Sequence, residues 1–398
     1  MTTYPSVVIE NASVVTPDTV LEKASIRMDD GRISELGETV STSGAVSVDA
    51  NGGYVLPGLI DVHSDALEKA IAVRPSAPFP PDIALYEFDK TLAGCGITSM
   101  FYCVSFMEGN QLNPQRSLAK AREHTQLISE HRDGLMTNGY IHARLDLPTP
   151  EAMPAAREAV DAGQVHMLSL NDHTPGQGQN TDLENFLAKR KMKNPDDQLT
   201  AEALQVLIDR HEAIDYEVVR EVVSHALENG VPVASHDDDS AEIVQARHDW
   251  GVDIAEFPVN DDSIGAARQL NMHTVLGSPN VLRGMSHGGN ISARDAVADN
   301  RVDCICSDYA PMSMLQSLFC LYDLHMGPLA HLVNLYTLNP AKAAGLGDHT
   351  GSLEVGKDAD VILVRPSSPV TRLEMTFVRG RPVVTHAGEW RGSVVAAA

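Results

Sequence analysis

Eight short runs of apolar, largely β-branched residues recur between residues 58 and 308, separated by intervals that favour helix. They are GLIDVH (58–63), GITSMFYCVS (96–105), GYIHARLDL (139–147), QVHMLSLNDH (164–173), VPVASHD (231–237), VDIAEFP (252–258), HTVLGS (273–278) and VDCICSD (302–308). Strands covered on both faces give such near-continuous apolar runs, and strands that alternate with helices pair in parallel. Intervals such as RSLAKAREHTQLISEH and YEVVREVVSHALENG carry helical periodicity, and Asn229-Gly230 supplies a helix stop before the fifth run. Eight strand–helix units over this length predict an α/β fold, a TIM-like (β/α)8 barrel rather than an open sheet.

The two ends of the chain have a different texture. SVVIENASVV, ASIRMDDGRISELG and AVSVDANGGYVLPG precede the barrel runs, with Asp30-Gly31 as a hairpin signal between alternating segments. GSLEVGKDADVILV and MTFVRGRPVVTHAGEW follow them. Residues 1–55 together with 350–398 are therefore expected to build one composite β-sandwich domain. Residues 56–349 form the barrel, with a charged helical insertion near 180–229.

Composition narrows the partners. A formal net charge of -24 opposes nucleic acid or an anionic membrane surface as the main partner. No apolar run approaches the roughly 20 residues that span a bilayer. The N-terminal MTTYPSVVIENASVVTP lacks a basic stretch followed by an apolar core, so a cytoplasmic location is expected. Five cysteines without CxxC spacing fit reduced thiols. A homo-oligomer is expected on general grounds.

In a barrel, reactive side chains belong at the C-terminal strand ends, and this chain concentrates its ionisable residues there. His63 and Asp65 follow the first run two residues apart. His142, Arg144 and Asp146 share one parity along the third, and Cys304 and Cys306 share that of Asp308 along the eighth. His173, His236 and Glu256 end the fourth, fifth and sixth. A lone histidine is most often a core or surface residue, and Asp65 alone could be a helix cap. Several imidazoles and carboxylates at one end of different strands would be costly to bury unpaired, and divalent cations would make the cluster favourable. Two glycine-rich loops accompany them: DHTPGQGQ with Gln177, and SPNVLRGMSHGGN with Asn280, Arg283 and His287. Lys69 and Arg74 follow the first strand at the same mouth. Backbone N–H groups freed by glycine, with arginine beside them, suit a phosphate.

The frame VLPGLIDVH, the strand-end Asp308 and NPAKAAGLGDHTGSLEVGKDADVILV resemble the amidohydrolase superfamily over nearly the whole chain. Within it, LIDVHSDALEK, LNDHTPGQGQ, VASHDDD, AEFPV, SPNVLRGMSHGGN and SDYAP resemble the PhnM family of phosphonate metabolism, six motifs in order. Members of that family hydrolyse α-D-ribose 1-methylphosphonate 5-triphosphate to the 5-phosphate and pyrophosphate in the carbon–phosphorus lyase pathway. The resemblance implies one or two divalent metal ions, with zinc the first expectation and Mn, Fe or Ni as alternatives. It implies His63, Asp65, Asp146, His173, His236 and Asp308 as ligands, and Asp146 stands where glutamate is usual. Glu256 is a further candidate, as a ligand or as a group that orients one. No lysine ends a central strand, so the carboxylated lysine of many binuclear relatives is not expected.

The expected chemistry is attack of an activated water on a phosphoanhydride, with Asp308 as general base. Lys69, Arg74, Gln177, Asn280, Arg283 and His287 would bind the phosphorylated substrate. Two alternatives remain at this stage. One is amide hydrolysis or deamination of a cyclic amidine, which uses the same water and a neutral pocket. The other is a metal-free barrel serving as an interaction module.

Overall fold

The computed structural model describes residues 5–74, 77–109, 113–180, 183–193, 199–286, 290–367, 369–386 and 390–391. Its centre is a sheet of eight parallel strands in sequential order. They run Leu59–Ser64, Ile97–Phe106, Asn138–Asp146, Met167–Asn171, Val233–His236, Ile254–Glu256, His273–Gly277 and Cys304–Cys306. Each of the eight expected runs overlaps its strand, and three strands extend one residue beyond the run, at Ser64, Phe106 and Asn138. The sheet closes between the first and last strands: Asp308 N donates to His63 O at 3.0 Å, and Asp65 N donates to Asp308 O at 2.8 Å.

Alternation along each strand sorts its side chains. Ile141, Ala143 and Leu145 face the surrounding helices, as do Leu168, Ala255, Leu276 and Ile305. Phe101, Met167, Ala234, Ile254, Val275, Cys304 and Cys306 fill the interior, as the parity of the eighth strand predicts for the two cysteines. The same inward parity carries His142, Arg144 and Asp146 on the third strand toward the barrel mouth. On the first strand, pairing slips between Asp61 and Ser64. Such an irregularity re-aims the residues beyond it.

A separate, mostly antiparallel sheet of nine strands combines the two ends of the chain. Strand Ser6–Val15 pairs with Val20–Asp29 on one edge, while its other edge takes Ala45–Asp49 and then Tyr54–Pro57. Val361–Arg365, Arg372–Val378 and Arg381–Thr385 continue the sheet from Tyr54–Pro57. Val7, Ile9, Ile26, Val55, Val361 and Phe377 share one apolar core within it. Asp30 and Gly31, with φ of 50° and 82°, form the expected two-residue hairpin turn.

The chain passes from this sheet into the barrel at Pro57-Gly58. A Cβ added at Gly58 would lie 2.1 Å from Thr98 Oγ1 and 2.6 Å from Thr98 Cβ, and Thr98 is fully buried. Neither backbone can retreat, because Gly58 N donates to Asp360 O at 2.9 Å and Thr98 lies within the second barrel strand. Gly58→Ala should therefore destabilise the protein by about 3 kcal/mol, the upper part of the overpacking range. Urea unfolding of the two proteins measures this difference.

Among the described residues, 183–228 form three helices, not one extended insertion. Tyr216–Glu228 begins on an Asp215 cap and buries Val219, Val222, Val223 and Ala226 against the barrel, so it is the barrel's own helix before the fifth strand. Leu183–Lys193 and Ala201–Glu212 are the added pieces. The second of these rests on the mouth through an Arg210–Glu108 ion pair. It also places His211 Nδ1 2.6 Å from Asp172 Oδ2.

Candidate active site

The strand ends converge on a buried group of imidazoles. The His63 ring lies 5.1 Å from that of His236 and 5.3 Å from that of His142, and His173 lies 5.9 Å from His236. Phe257 closes one side, 5.1 Å from His63 and 5.2 Å from His236. Burial is the main reason that the His63 imidazole is pushed down to about 3 and His142 to about 4, so both are neutral near pH 7. Burial also lowers His236.

Neutral imidazoles have one nitrogen free to bind a cation, and the surroundings decide which. His63 Nδ1 donates to the Glu256 carboxylate, 3.2 Å from each oxygen, which leaves its Nε2 lone pair available. Buried Glu256 therefore orients a candidate ligand from behind. His142 Nδ1 donates to Val62 O at 2.9 Å, and its buried Nε2 has no hydrogen-bond partner. His236 Nδ1 sits 3.1 Å from Asp237 Oδ2, out of line for a hydrogen bond. His63–His236–Glu256, His173–His236–Asp237 and His63–Cys103–His142 each bring three potential ligand atoms within 4.8 Å of one another. Unpartnered imidazole nitrogens in so close a set fit a divalent metal ion.

Asp308 continues the eighth strand with φ of 59°, a conformation that aspartate and asparagine tolerate better than most residues. Burial, and then the Asp65 carboxylate, raise its carboxyl to about 7 against the opposing pull of Arg144 and Lys69. Asp146 accepts from Thr149 Oγ1 at 2.7 Å and lies 3.9 Å from His173 Nδ1.

Asp65 has different company. Arg144 donates to its Oδ1 at 2.7 Å, and Arg116 to its Oδ2 at 2.6 Å. Burial alone would raise this carboxyl, but the two guanidinium groups hold it well below the usual carboxylate range. Arg116 also donates to buried Glu68 at 2.7 Å, and Arg144 reaches Asn171 Oδ1 at 3.1 and 3.2 Å. Asp65 precedes the helix Ala66–Ile71 but makes no side-chain cap.

Two of the expected cations, each carried by a short helix, meet at one residue. Lys69 Nζ stands 4.3 Å from the centre of the Tyr309 ring, and Arg283 donates to Tyr309 Oη at 2.7 Å. Tyr309 follows Asp308 directly, so both cations are tied to the chain beside it. Arg74 is exposed, beyond the end of the helix Ala66–Ile71. Asn280 is engaged elsewhere, donating to Ile291 O at 2.9 Å and accepting from Ala293 N at 3.1 Å, so its amide pins the loop. Gln177 lies in the turn after His173, where its backbone N–H donates to Thr174 O. The neighbouring Gln179 reaches Asp237 at 2.7 Å. His287 lies outside the described residues. Arg116, Asn171, Asp237 and Tyr309 were not picked out by sequence reasoning. The parity of Arg144 with Asp146 was its only signal, while Arg116 comes from a loop with none.

No described helix is long and apolar enough to cross a membrane. The amidohydrolase family model matches residues 54–386. Alpha-D-ribose 1-methylphosphonate 5-triphosphate diphosphatase of Escherichia coli (strain K12) is 29% identical over 395 residues, covering 94% of this chain and 100% of that protein. A 5'-deoxyadenosine deaminase of Methanosarcina mazei is 24% identical over 91% of this chain and 85% of its own. Among solved structures, molinate hydrolase superposes with a TM-score of 0.66 at 14% identity, over 96% of this chain and 95% of that one. N-acetylglucosamine-6-phosphate deacetylase from Pasteurella multocida gives 0.64 at 15%, over 95% and 99%. The barrel and the appended sheet agree with these matches, and the chain belongs to the amidohydrolase family.

Proposed function

We propose that this hydrolase cleaves the phosphoanhydride between the α- and β-phosphates of α-D-ribose 1-methylphosphonate 5-triphosphate, releasing pyrophosphate and the 5-phosphate. The reading rests on one juxtaposition, Lys69 and Arg283 gathered on Tyr309 next to Asp308, in a chain whose net charge is -24. A neutral amide has no use for paired cations there, whereas a polyphosphate needs them. The full-length similarity to the E. coli diphosphatase supports the same substrate class.

His63 and His236, with Asp308 beside them, are the residues that would hold a divalent metal ion, zinc being the first candidate, and His173 and Asp146 line the same mouth. A bound ion of this kind polarises water and lowers its pKa toward neutrality. Glu256 keeps His63 in the tautomer whose Nε2 is free. Asp308 takes the proton of the attacking water as its oxygen bonds to the α-phosphorus, and the bond from that phosphorus to the bridging oxygen breaks. Lys69 and Arg283 receive the charge that develops on the departing pyrophosphate. Phe257 shields the imidazoles on one side, which lowers the local dielectric and strengthens these interactions.

The test is pyrophosphate release by metal-loaded protein from the ribosyl phosphonate triphosphate, with ATP and a panel of N-acyl and amidine compounds alongside. Pyrophosphate from the ribosyl substrate at a rate well above that from ATP is the expected result. Ammonia or amine release without pyrophosphate would instead favour amide hydrolysis or deamination, the latter being the activity printed for the Methanosarcina relative.

A further inference from the structure

We propose that the Arg144 guanidinium takes the place of a second metal ion, so that each barrel binds a single divalent cation. The proposal rests on the metal-hydrolase reading above and decides how many ions that reading requires. Arg144 is 5% exposed and projects into the mouth from the third strand. It touches three side chains that would otherwise surround a second ion: Asp65 at 2.7 Å, Asn171 at 3.1 Å and His173 Nε2 at 3.4 Å. Burial works against its charge, and Asp65 foremost, with Cys103 and Glu68, more than restores it.

Three observations agree. Both Asp65 oxygens already accept charged hydrogen bonds, one from Arg144 and one from Arg116, so neither faces an empty site. Asp65 is correspondingly absent from the groups of potential ligand atoms that converge within 4.8 Å among the described residues. The fourth strand ends in Asn171, a neutral side chain that accepts from Arg144 and donates to Ser169 O and Oγ, each at 2.9 Å. Paired ions roughly 3.5–4 Å apart repel and are held by shared anionic ligands. Here Asp65 is bound to guanidinium groups, and the fourth strand offers no anion. A dication beside Asp65 would also lie within a few ångströms of a buried permanent positive charge. The His63–His236 side has no such obstacle and takes the one ion.

The readout is metal content rather than turnover. Protein stripped with a chelator, reloaded with excess Zn²⁺ or Mn²⁺ and freed of unbound ion is analysed by elemental mass spectrometry. Wild-type protein should carry about one ion per chain. Arg144→Met frees Asp65 and His173 and should raise the content to about two, and the added ion should be lost again in Arg144→Met/Asp65→Asn. Arg144→Lys keeps a cation there and should stay at one. Two ions in the wild type, or a folded Arg144→Met protein that remains at one, overturns the proposal. If Arg144→Met does not fold, the wild-type and Arg144→Lys contents decide the matter, and two ions in either overturns it. No bound ion in the wild type defeats the metal-hydrolase reading itself, and the proposal with it.

Discussion

Asp308→Asn should lower kcat for pyrophosphate release by about 10²–10⁴-fold, the range lost with a positioned general base, and leave the barrel folded. The backbone of Asp308 closes the barrel through its N–H to His63 and its carbonyl to Asp65, and neither bond involves the carboxylate. Its φ of 59° suits asparagine as well as aspartate, so the substitution adds no backbone strain that alanine would introduce. An amide has no lone pair basic enough to take a proton from water. The comparison therefore isolates the proton-accepting oxygen. Turnover by pyrophosphate assay and a thermal melt of both proteins make the measurement. A variant that melts normally and keeps more than a third of wild-type kcat removes Asp308 from the role of base.

Lys69→Gln and Arg283→Gln should each reduce kcat/KM for the ribosyl triphosphate by roughly 10–150-fold, corresponding to one charge-assisted hydrogen bond of about 1.5–3 kcal/mol. Both residues meet at Tyr309, so the double variant is expected to lose less than the product of the two losses, because neighbours are not additive. The effect should fall on substrates by charge. A neutral N-acyl compound turned over by promiscuous hydrolysis should lose less than about threefold in the same variants. Equal losses on charged and neutral substrates would mean that the two cations support the fold of the mouth, and the polyphosphate reading would lose its principal local support. Glutamine keeps much of the length of each side chain and some hydrogen-bonding capacity. The experiment consequently removes charge with little loss of packing, which matters because lysine and arginine stems cover apolar surface.

The global charge and the local field act at different ranges. At physiological ionic strength the Debye length is about 8 Å, so the excess carboxylates on distant surfaces do not cancel Lys69 and Arg283 at the mouth. Arg116 and Arg144 belong to the same economy of charge but serve the interior. They neutralise Asp65, and Arg116 also neutralises Glu68. Glu68 accepts further from Ser105 Oγ at 3.3 Å and Asn113 Nδ2 at 3.2 Å, so the arginine pair is itself held in place.

Sequence periodicity located each barrel strand because a buried strand leaves a local trace: apolar, β-branched residues in a short run, with a helix stop such as Asn229-Gly230 before it. The parity of residues along a strand is also local, which is why Asp146 could be grouped with His142 and Arg144, and Asp308 with Cys304 and Cys306, in advance. Parity failed to describe the first strand fully, since the pairing slip between Asp61 and Ser64 depends on the neighbouring strand. The charged stretch near 180–229 gave a clear helical signal but no sign that its last helix belongs to the barrel. That distinction requires knowing what Val219, Val222 and Val223 pack against.

The sequence by itself determined the eight strand–helix units, the sheet assembled from both termini, and the end of the barrel where imidazoles and carboxylates collect. These follow from interactions between residues a few positions apart. Only the tertiary structure decided what each polar group at that end does, because partners are distant in the chain. Asp65 meets Arg116 across 51 residues and Arg144 across 79, and His63 meets Glu256 across 193. A histidine followed two residues later by an aspartate looks like a pair of ligands in sequence. In the folded chain one is a neutral imidazole oriented by a carboxylate and the other is a carboxylate bound by two arginines. The cause is closure of the barrel, which brings eight strand ends into one low-dielectric mouth and makes every charge there seek an opposite.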